Sequence, residues 1–581
     1  MFVFVLVSAL SAALSIHRGK GLEAMLNLLA ITGLFMAAAT SVRGFGMLRG
    51  IAFFEVLAAI PVATLGLLQH FRPELLPAAN SYPGRALGPF GQPNRMGGYI
   101  VAAIPVVLAL AFIAQDRALK AVLLIATFGL VLCLVATYSR GAWLGLAAGL
   151  VVLAAALARW PELAPRPAIL AVALACVVIP FALLLPSVIS RVQSRPSTAP
   201  AWNLPIDPER EGSGAMRRAI WSGALEAAAR RPVLGWGIGA FREAFDISKN
   251  ATMKRLEAEG GRTADQAHNH YLGILAERGV LGLAAFAVLT ALTLGAAATA
   301  MASGTQAMGR VLVAGLAGSV VALLAHGLVD DNLSLVPHGT LLFANLGLLA
   351  TAPASARRDP RGSRWSGRTG MLAAILAAGV SALSFGASSS AQAASSDAGA
   401  GSGDRALSLF RSASNLAPWR DDLAVARAEQ AEAWARESAS TPALHEAEAA
   451  YRRAIAINGS DPVTRQELAR LYLAHPDVWG DAGSRLALEQ LRLAVAQNPY
   501  YAEIQNDLGV ALLRTGNRVE ARVAFGRAVE GRPGFVDPLL NLAALALESG
   551  DRVEARAWLE RALERDPDSV RARELLEKLS R

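Results

Sequence analysis

The sequence is poor in cysteine and in charged residues. Its 581 residues include two cysteines, Cys133 and Cys176, and only 17% are Asp, Glu, Lys or Arg. Both cysteines lie within apolar runs, so the sequence indicates neither a disulfide framework nor a zinc motif. The net charge of +9 is basic, but the basic residues do not gather on one soluble module, which argues against nucleic-acid binding.

Long apolar runs dominate the first two thirds of the chain. Hydrophobic residues make up 54% of the sequence, and the mean hydropathy of +0.38 is higher than that of a soluble domain. Runs of roughly 16 to 22 apolar residues are each long enough to cross the hydrocarbon core of a bilayer. About eleven spans are predicted in this way, near residues 2–16, 22–40, 51–69, 98–114, 121–137, 141–158, 168–186, 271–300, 311–329, 336–352 and 370–387. The predicted fold class is therefore all-α, a polytopic helical membrane protein.

Basic residues occur mainly in alternate loops, which predicts the orientation of the spans. Arg117, Lys120, Arg159 and Arg310 all fall on one side, and the positive-inside rule makes that side cytoplasmic. The long loop 187–270 and everything after about residue 388 then lie outside. The short basic loop from His17 to Lys20 also falls outside and contradicts the rule.

Four polar motifs interrupt the apolar pattern, and all of them fall on the predicted external side. They are Arg-Ala-Leu-Gly-Pro-Phe-Gly-Gln-Pro-Asn at 85–94, Tyr-Ser-Arg-Gly at 138–141, Arg-Arg-Ala-Ile-Trp at 217–221 and His-Asn-His-Tyr at 268–271. Motifs scattered by chance would be divided between the two sides. We therefore expect one site at the external face of the membrane.

Arg140 and Arg217 are the first candidates for binding an anion. An arginine at the edge of a span is commonly an interfacial anchor. Arg140, however, lies at the external end, against the positive-inside bias, and an anionic partner explains that position. A guanidinium group suits a diphosphate because its planar fork binds oxygens in pairs and stays charged. The glycines after Pro232 lack the lysine of a phosphate loop, so no nucleotide site is predicted.

His268 is the candidate base. It follows a long polar loop and precedes a span, and an imidazole with an ordinary pKa of about 6.5 accepts a proton at neutral pH. His270 is the weaker candidate, and a structural role is the alternative for both. Asp330 or Asp331, at the end of a later span, would orient a base or bind acceptor hydroxyls, although solvation of the helix end explains them equally well.

A metal site is the competing use of these histidines and carboxylates. Membrane sugar transferases that depend on a metal usually carry an acidic pair in an early external loop. The first external loop here is only a few residues long. We therefore expect no metal and no cofactor, with the arginines supplying the electrostatic stabilisation that a cation would give.

The remainder of the chain has a different character. Residues 389–404 are rich in Ser, Ala and Gly, which predicts a flexible linker between a membrane domain at 1–388 and a soluble domain at 405–581. Leu508 recurs as Leu542, and Pro499 recurs as Pro533 and again as Pro567, each time 34 residues later. This period is typical of tetratricopeptide repeats. Two further degenerate units are predicted before residue 500, and the α-solenoid would offer a concave surface to a partner protein or glycan.

Together the motifs resemble those of the O-antigen ligase and O-antigen polymerase superfamily. The likeness covers roughly residues 70–350 and rests on Arg85 to Asn94, Ser139-Arg140-Gly141, Arg217 with Trp221, Pro232 with Gly235 and Gly237, and His268-Asn269 through Glu277, Gly279 and Gly282. A tetratricopeptide tail is a variant found in the superfamily. The resemblance implies a helical architecture of the C-type glycosyltransferases with about twelve spans, one more than the hydropathy pattern gives.

The resemblance also implies roles for these residues. Arg140 and Arg217 would bind the diphosphate of a polyprenyl-linked glycan, with Arg218 as the substitute if the register is shifted by one residue. His268 would activate an acceptor hydroxyl, which displaces polyprenyl diphosphate with inversion at the anomeric carbon. Further substrate-binding candidates are Arg85, Asn94, Asn269, Tyr271 and Asp330.

Several functions share this chemistry. A ligase would place the glycan on lipid A core, a polymerase would extend a second lipid-linked glycan, and a third type would glycosylate protein hydroxyls. All would work at the inner membrane of a bacterium, with the repeats in the periplasm. A non-catalytic transporter is the distant alternative, but transporters commonly show internal repeats and polar residues at mid-membrane, and neither is evident here. An assembly scaffold would leave the four motifs on one side unexplained.

Overall fold

The computed structural model describes residues 1–42, 44–73, 84–161, 165–193, 214–249, 264–302, 307–351, 379, 383, 386–395, 397–398 and 403–580. Regular structure in these ranges is helical, without strands. The apolar part contains helices α1 (Phe2–Ala13), α2 (Arg18–Ser41), α3 (Phe45–Phe71), α4 (Pro93–Ile113), α5 (Arg117–Ala136), α6 (Arg140–Arg159), α7 (Pro167–Gln193), α8 (Gly214–Arg230), α9 (Phe241–Ser248), α10 (His270–Ala302), α11 (Ala307–His326) and α12 (Val336–Thr351). The protein is an all-α membrane protein followed by a helical repeat domain.

The predicted spans and the helices agree well. The first ten predicted spans each overlap a helix, α1 to α7 and α10 to α12. Within the described residues, eight helices are long and apolar enough to cross a membrane, whereas α1 is apolar but shorter. The eleventh predicted span, 370–387, lies mostly outside the described residues.

Small residues bring α4, α6 and α11 into close contact at the centre of the membrane domain. A Cβ atom on Gly149 of α6 would lie 2.6 Å from the Gly318 carbonyl oxygen of α11, and one on Gly145 would lie 2.7 Å from the Ala322 oxygen. Such approaches exclude any side chain larger than hydrogen. Gly145 and Gly149 thus allow α6 and α11 to pack closely.

From the sequence, no polar residues are expected in the interior of the predicted spans, and this expectation is wrong. Glu55 of α3 is partly buried, and its Oε1 accepts a hydrogen bond of 3.2 Å from the Asn345 amide of α12. The same amide donates to Ser319 Oγ of α11 at 3.0 Å. The spans therefore do carry polar residues in their interior. Hydropathy averaging hides a single acid within an apolar run, and only tertiary packing shows that the acid has partners.

The C-terminal part forms a helical solenoid. Its helices are α13 (Gly403–Leu416), α14 (Asp421–Ser438), α15 (Thr441–Ile457), α16 (Pro462–Ala474), α17 (Pro476–Gln497), α18 (Ala502–Arg514), α19 (Arg518–Gly531), α20 (Val536–Glu548), α21 (Arg552–Arg565) and α22 (Val570–Ser580). The pairs α18–α19 and α20–α21 match the 34-residue units. The pairs α14–α15 and α16–α17 occupy the region of the two degenerate units, so four helical hairpins stack in succession.

Part of the segment predicted to be a flexible linker is helical in the structure. Residues 386–395 are helical, and Ala387 and Ala394 are buried, with Ala387 in a small cluster that includes Ala413 and Leu423. Alanine has the highest helix propensity of the amino acids, and this effect outweighs the serines that suggested a flexible segment.

The basic loop that contradicts the positive-inside rule has acidic partners. Lys20 Nζ lies 2.9 Å from Glu243 Oε1 of α9, in the long loop 187–270. Trp419 of the repeat domain packs on Gly19, where a Cβ atom would lie 2.6 Å from the Trp419 Cβ. Lys20 also interacts electrostatically with Asp421. The loop therefore lies with the long loop and the repeats, and its charge is balanced there.

Candidate functional site

The site is built around the start of α10. The Asn269 side-chain oxygen accepts hydrogen bonds from the backbone N–H groups of Tyr271 and Leu272, which caps the helix. The Asn269 amide donates to the Leu328 carbonyl at 2.9 Å, and the Tyr271 hydroxyl donates to the Leu324 carbonyl at 2.8 Å. Both side chains thus fasten α10 to the end of α11.

Two histidines at this helix start face two consecutive aspartates. His268 Nδ1 lies 3.6 Å from Asp330 Oδ1, and His270 Nδ1 lies 2.8 Å from Asp331 Oδ1. The His268 side chain is 20% exposed, whereas the other three are nearly covered. His268 is therefore the imidazole of the two that can meet a substrate, and His270 is held in the interior.

Asp330 is ionised in this setting. Burial disfavours the charged form, but the facing His268 and His326 rings and the Asp331 N–H group outweigh burial and lower the pKa of the Asp330 carboxyl to about 2. The Asp331 N–H donates to Asp330 Oδ1 at 2.9 Å. A carboxylate fixed in this way can orient the His268 ring and stabilise it when protonated.

His326, the last residue of α11, joins the other elements of the site. Its ring packs on the start of α6, where a Cβ atom on Gly141 would lie 3.3 Å from the ring carbon Cδ2. The ring interacts electrostatically with Asp330 and with Arg217 of α8. Because Arg140 directly precedes Gly141, the packing of His326 brings three of the four sequence motifs to one place.

The fourth motif supports the α5–α6 junction. Arg85 Nε and an Arg85 terminal nitrogen donate to the Thr137 carbonyl at 2.9 and 2.7 Å. Asn94 lies in the first turn of α4, and a Cβ atom on Gly97 of that helix would lie 3.2 Å from the Ser139 Cβ. Arg85 therefore holds the backbone that leads into Arg140.

Unusual backbone conformations mark the same region. Within the described residues, Tyr138, His268 and Ala439 are the residues other than glycine with positive φ, at 52°, 48° and 53°. Two of the three lie at the site. Sparsely populated backbone conformations persist where the surroundings fix them, and they are common at functional sites.

A backbone clamp holds the turn between α8 and α9 against α10. The Trp236 and Gly237 N–H groups donate to the Ala276 and Glu277 carbonyls at 3.0 and 2.9 Å, and the Val280 N–H donates to the Pro232 carbonyl at 2.7 Å. Gly279, at φ 65°, interrupts the helical geometry of α10, and a Cβ atom there would lie 2.2 Å from the Val233 oxygen. The glycine motifs of the sequence are therefore structural, because they allow two backbones to meet.

This clamp and a small apolar core position Arg217. One face of α8 packs against the turn after it, α9 and the start of α10, in a cluster of Ile220, Ala224, Ala227, Trp236, Phe241, Ala244, Phe245, Ala267 and Ala276. Arg217 lies half-buried at the start of α8, and its Nε is covered without a hydrogen-bond partner among the residues that the structure describes. Arg218, the next residue, is exposed.

Only some of the residues that the sequence predicts for the site lie together in the structure. The structure brings together Arg217, His268, Asp330 and the start of α6 that carries Arg140. Asn269 and Tyr271 are engaged in helix packing, and Arg85 is engaged with the backbone, so their substrate contacts remain predictions. Among the residues described, no group of three or more His, Cys, Asp or Glu side chains could hold a metal ion.

Sequence reasoning assigned no role to His326. It lies four residues before Asp330, and the Asp330 N–H donates to the His326 carbonyl at 3.1 Å, as in a continued helical turn. This spacing places the two residues on one face of the helical turn, and it could have identified His326 from the sequence. His338 of α12, which hydrogen-bonds to the Arg95 carbonyl at 2.7 Å, had no such signal.

Comparison with known families gives two matches. Residues 121–287 match the family model described as O-antigen ligase, and residues 516–579 match a tetratricopeptide repeat model. Among curated protein sequences, none matches the chain.

Solved structures resemble the chain over about a third of its length. PilF of Pseudomonas aeruginosa is 16% identical over 34% of this chain and 85% of its own, with a TM-score of 0.29. A thermophilic tetratricopeptide protein of Thermus thermophilus is 21% identical over 33% and 98%, with a TM-score of 0.27. MamA of Desulfovibrio magneticus RS-1 is 14% identical over 32% and 97%, with a TM-score of 0.28.

Proposed function

We propose, for a chain that carries an O-antigen ligase region followed by tetratricopeptide repeats, that it transfers a glycan from polyprenyl diphosphate to lipid A core at the periplasmic face of the inner membrane. The match of residues 121–287 to the O-antigen ligase family supports a membrane glycan transferase of the O-antigen ligase or polymerase type. The proposed reaction rests on one observation: His268 is partly exposed and faces the buried Asp330 carboxylate beside Arg217.

In the proposed reaction His268 is the base. Its ring accepts the proton of the acceptor hydroxyl on the nitrogen opposite Asp330, and the Asp330 charge stabilises the resulting imidazolium. The acceptor oxygen forms the new bond to the anomeric carbon while the bond from that carbon to the phosphate oxygen breaks. Direct displacement of this kind inverts the anomeric carbon.

The leaving group carries the electrons of the broken bond as polyprenyl diphosphate. Arg217 and Arg140 would stabilise this charge, because arginine binds phosphate oxygens in pairs and stays protonated. In this proposal the arginines do the work that a metal ion does in other transferases. The repeat domain, proposed to begin near residue 405 after a membrane domain ending near 388, would present or recruit a partner in the periplasm.

A transfer assay tests the proposal. Purified full-length protein would receive a polyprenyl-diphosphate glycan and either lipid A core or a second lipid-linked glycan, with and without chelator. Transfer to lipid A core, lost in His268→Ala and Arg217→Ala and unaffected by chelator, is the expected result. Extension of the lipid-linked glycan would instead make the protein a polymerase, and loss of transfer with chelator would contradict metal independence.

A further inference from the structure

The first turn of α6 has the features of an anion site. Backbone N–H groups in the first turn of a helix lack partners within the helix, and the helix dipole places partial positive charge there. Ser139 caps the helix by accepting from the Ala142 N–H at 3.4 Å, and the Trp143 N–H donates to the Ser139 carbonyl. Within the described part of the chain, the N–H groups of Arg140 and Gly141 have no hydrogen-bond acceptor, and they are therefore available to a ligand. α6 has 20 residues, so its dipole is fully developed.

A buried histidine supplies independent evidence for a ligand at this helix end. His326 is 2% exposed, and its Nε2 is covered without a hydrogen-bond partner in the described structure. This atom would lie 3.5 Å from a Cβ atom at Gly141, so it faces the first turn of α6. A buried nitrogen without a partner is costly, and an acceptor bound at this position would remove the cost.

The charges around the ring agree with an anionic ligand. The charged groups that act on His326 are the Asp330 carboxylate and the Arg217 guanidinium, which have opposite signs. Asp330 Oδ1 faces His268 and accepts a hydrogen bond from the Asp331 N–H, whereas its Oδ2 is covered without a partner among the described residues. Among the described residues Arg217 Nε also has no hydrogen-bond partner, so two covered side-chain nitrogens without partners lie near this helix end, one of them on a cationic group that acts on His326.

We propose that the N-terminus of α6 and His326 bind one phosphate group of the donor diphosphate, with His326 Nε2 as a donor and the Arg140 and Gly141 N–H groups as the others. His326 is then a binding residue that holds the leaving group while His268 acts on the acceptor. Gly141 is required because a side chain there would meet Val329 at 2.4 Å and narrow this space. The inference rests on the proposed function for the identity of the diphosphate, but not for the presence of an anion site.

Binding of short isoprenoids to the full-length protein tests the inference apart from catalysis. The probes are farnesyl diphosphate and farnesol, which share the lipid and differ in the phosphates. We expect His326→Phe to weaken the affinity for farnesyl diphosphate by about tenfold or more, as the loss of a charge-assisted hydrogen bond predicts. His326→Gln, which keeps an N–H donor, should recover part of this loss. Farnesol binding should be equal in all variants.

Ser319→Ala is the matched control, because Ser319 is a buried polar residue of the same helix, two turns away. It should bind both probes as the wild type does. Unchanged affinity for farnesyl diphosphate in His326→Phe would overturn the inference, as would equal binding of farnesol and farnesyl diphosphate by the wild type. Diphosphate binding that depends on His326, in a protein that transfers no glycan, would support the anion site and refute the proposed function.

Discussion

At the scale of single residues, the two His–Asp pairs show how neighbouring side chains of the same type acquire different uses. His268 and His270 are two residues apart, yet the helix start turns one toward the surface and the other into the core. The difference arises from the positive φ of His268, which lies before the helix, and from the hydrogen bond between the His270 N–H and the Gly327 carbonyl. The chemistry is thus set by the backbone rather than by the residue type.

Asp330→Asn tests the role of the carboxylate at this scale. The substitution keeps the shape but removes the charge that stabilises a protonated His268, so we expect kcat for glycan transfer to fall by about 10²-fold with little change in KM. The pKa of about 2 means that Asp330 stays charged above pH 4, so acid inactivation above that pH would have another origin. The measurement is the initial rate against donor concentration at pH 7.

Asp331→Asn is the comparison for that variant. Asp331 pairs with the buried His270, so its replacement should lower the thermal stability and leave the kcat of the folded protein nearly unchanged. If Asp330→Asn transferred glycan at the wild-type rate, orientation of His268 by this carboxylate would be refuted.

At the scale of elements, the break in α10 is the feature on which the turn between α8 and α9 depends. The helix runs from His270 to Ala302, and Gly279 departs from helical geometry with φ 65° and ψ −170°. This departure frees carbonyl groups of the first turns to accept from the Trp236 and Gly237 N–H groups. Without it, α8 and its arginine would lose their anchor on the membrane domain.

Gly279→Ala should therefore destabilise the protein. The backbone conformation at this position is essentially restricted to glycine and costs other residues on the order of 1–3 kcal/mol, and the added methyl group would meet the Val233 carbonyl at 2.2 Å. Thermal unfolding in detergent and hydrogen exchange of residues 231–240 are the measurements. We expect a lower Tm and faster exchange.

The same helix provides the control. Gly295 of α10 has no neighbour within 4 Å of its Cβ position, so Gly295→Ala should be neutral or slightly stabilising because alanine favours helix more than glycine does. Equal effects of the two substitutions would show that the break at Gly279 has no special importance.

At the scale of the whole molecule, the repeat domain rests on the basic residues at the start of α2 and on α9 of the membrane domain. Trp419 packs on Gly19, and Asp421 interacts with Lys20, His17 and Arg242. Burial opposes ionisation of Asp421, but Lys20, the Asn458 side chain, His17 and Arg242 together outweigh burial and lower the pKa of Asp421 below the ordinary value of 3.8. The contact is therefore electrostatically favourable at neutral pH, and it holds the solenoid on the side of the candidate site.

The contact between the repeat domain and the residues around His17 should depend on pH. Burial of the His17 ring and the Lys20 charge lower the pKa of His17 from 6.5, against the opposing effects of Glu243 and Asp421. An exposed His17 binds a proton more readily than the buried one, so the folded contact is favoured above pH 6.5 and weakens as the pH falls below that value. Hydrogen exchange of residues 15–21 between pH 7.5 and 5.5, corrected for intrinsic rates, measures the effect.

His17→Asn removes the titrating ring. The Lys20 N–H donates to His17 Nδ1, and asparagine can replace this cap because it caps helices well. In this variant, the protection of residues 15–21 from hydrogen exchange should vary less with pH than it does in the wild type. His445→Asn, on the exposed surface of the repeats, should behave as the wild type. An unchanged pH dependence in His17→Asn would assign the effect to other groups.

Much of this protein is determined locally in its sequence. The apolar runs specify their helices because each run can satisfy its backbone hydrogen bonds internally in lipid. The 34-residue period specifies the repeats, because each unit must bury the same face against the next. The charge distribution also predicts that His268, Arg217 and Arg140 share one side, since this depends only on counting spans.

Tertiary structure decided what these residues contact. The role of His326 depends on the packing of α11 against α6, and Glu55 is bonded by Asn345 of another helix, so neither follows from local patterns. The same holds for Asn269, Tyr271 and Arg85, whose polar groups contact backbone atoms distant in sequence. A sequence specifies which groups can form hydrogen bonds, but the close packing of small residues between helices determines which of them meet and which remain available to a ligand.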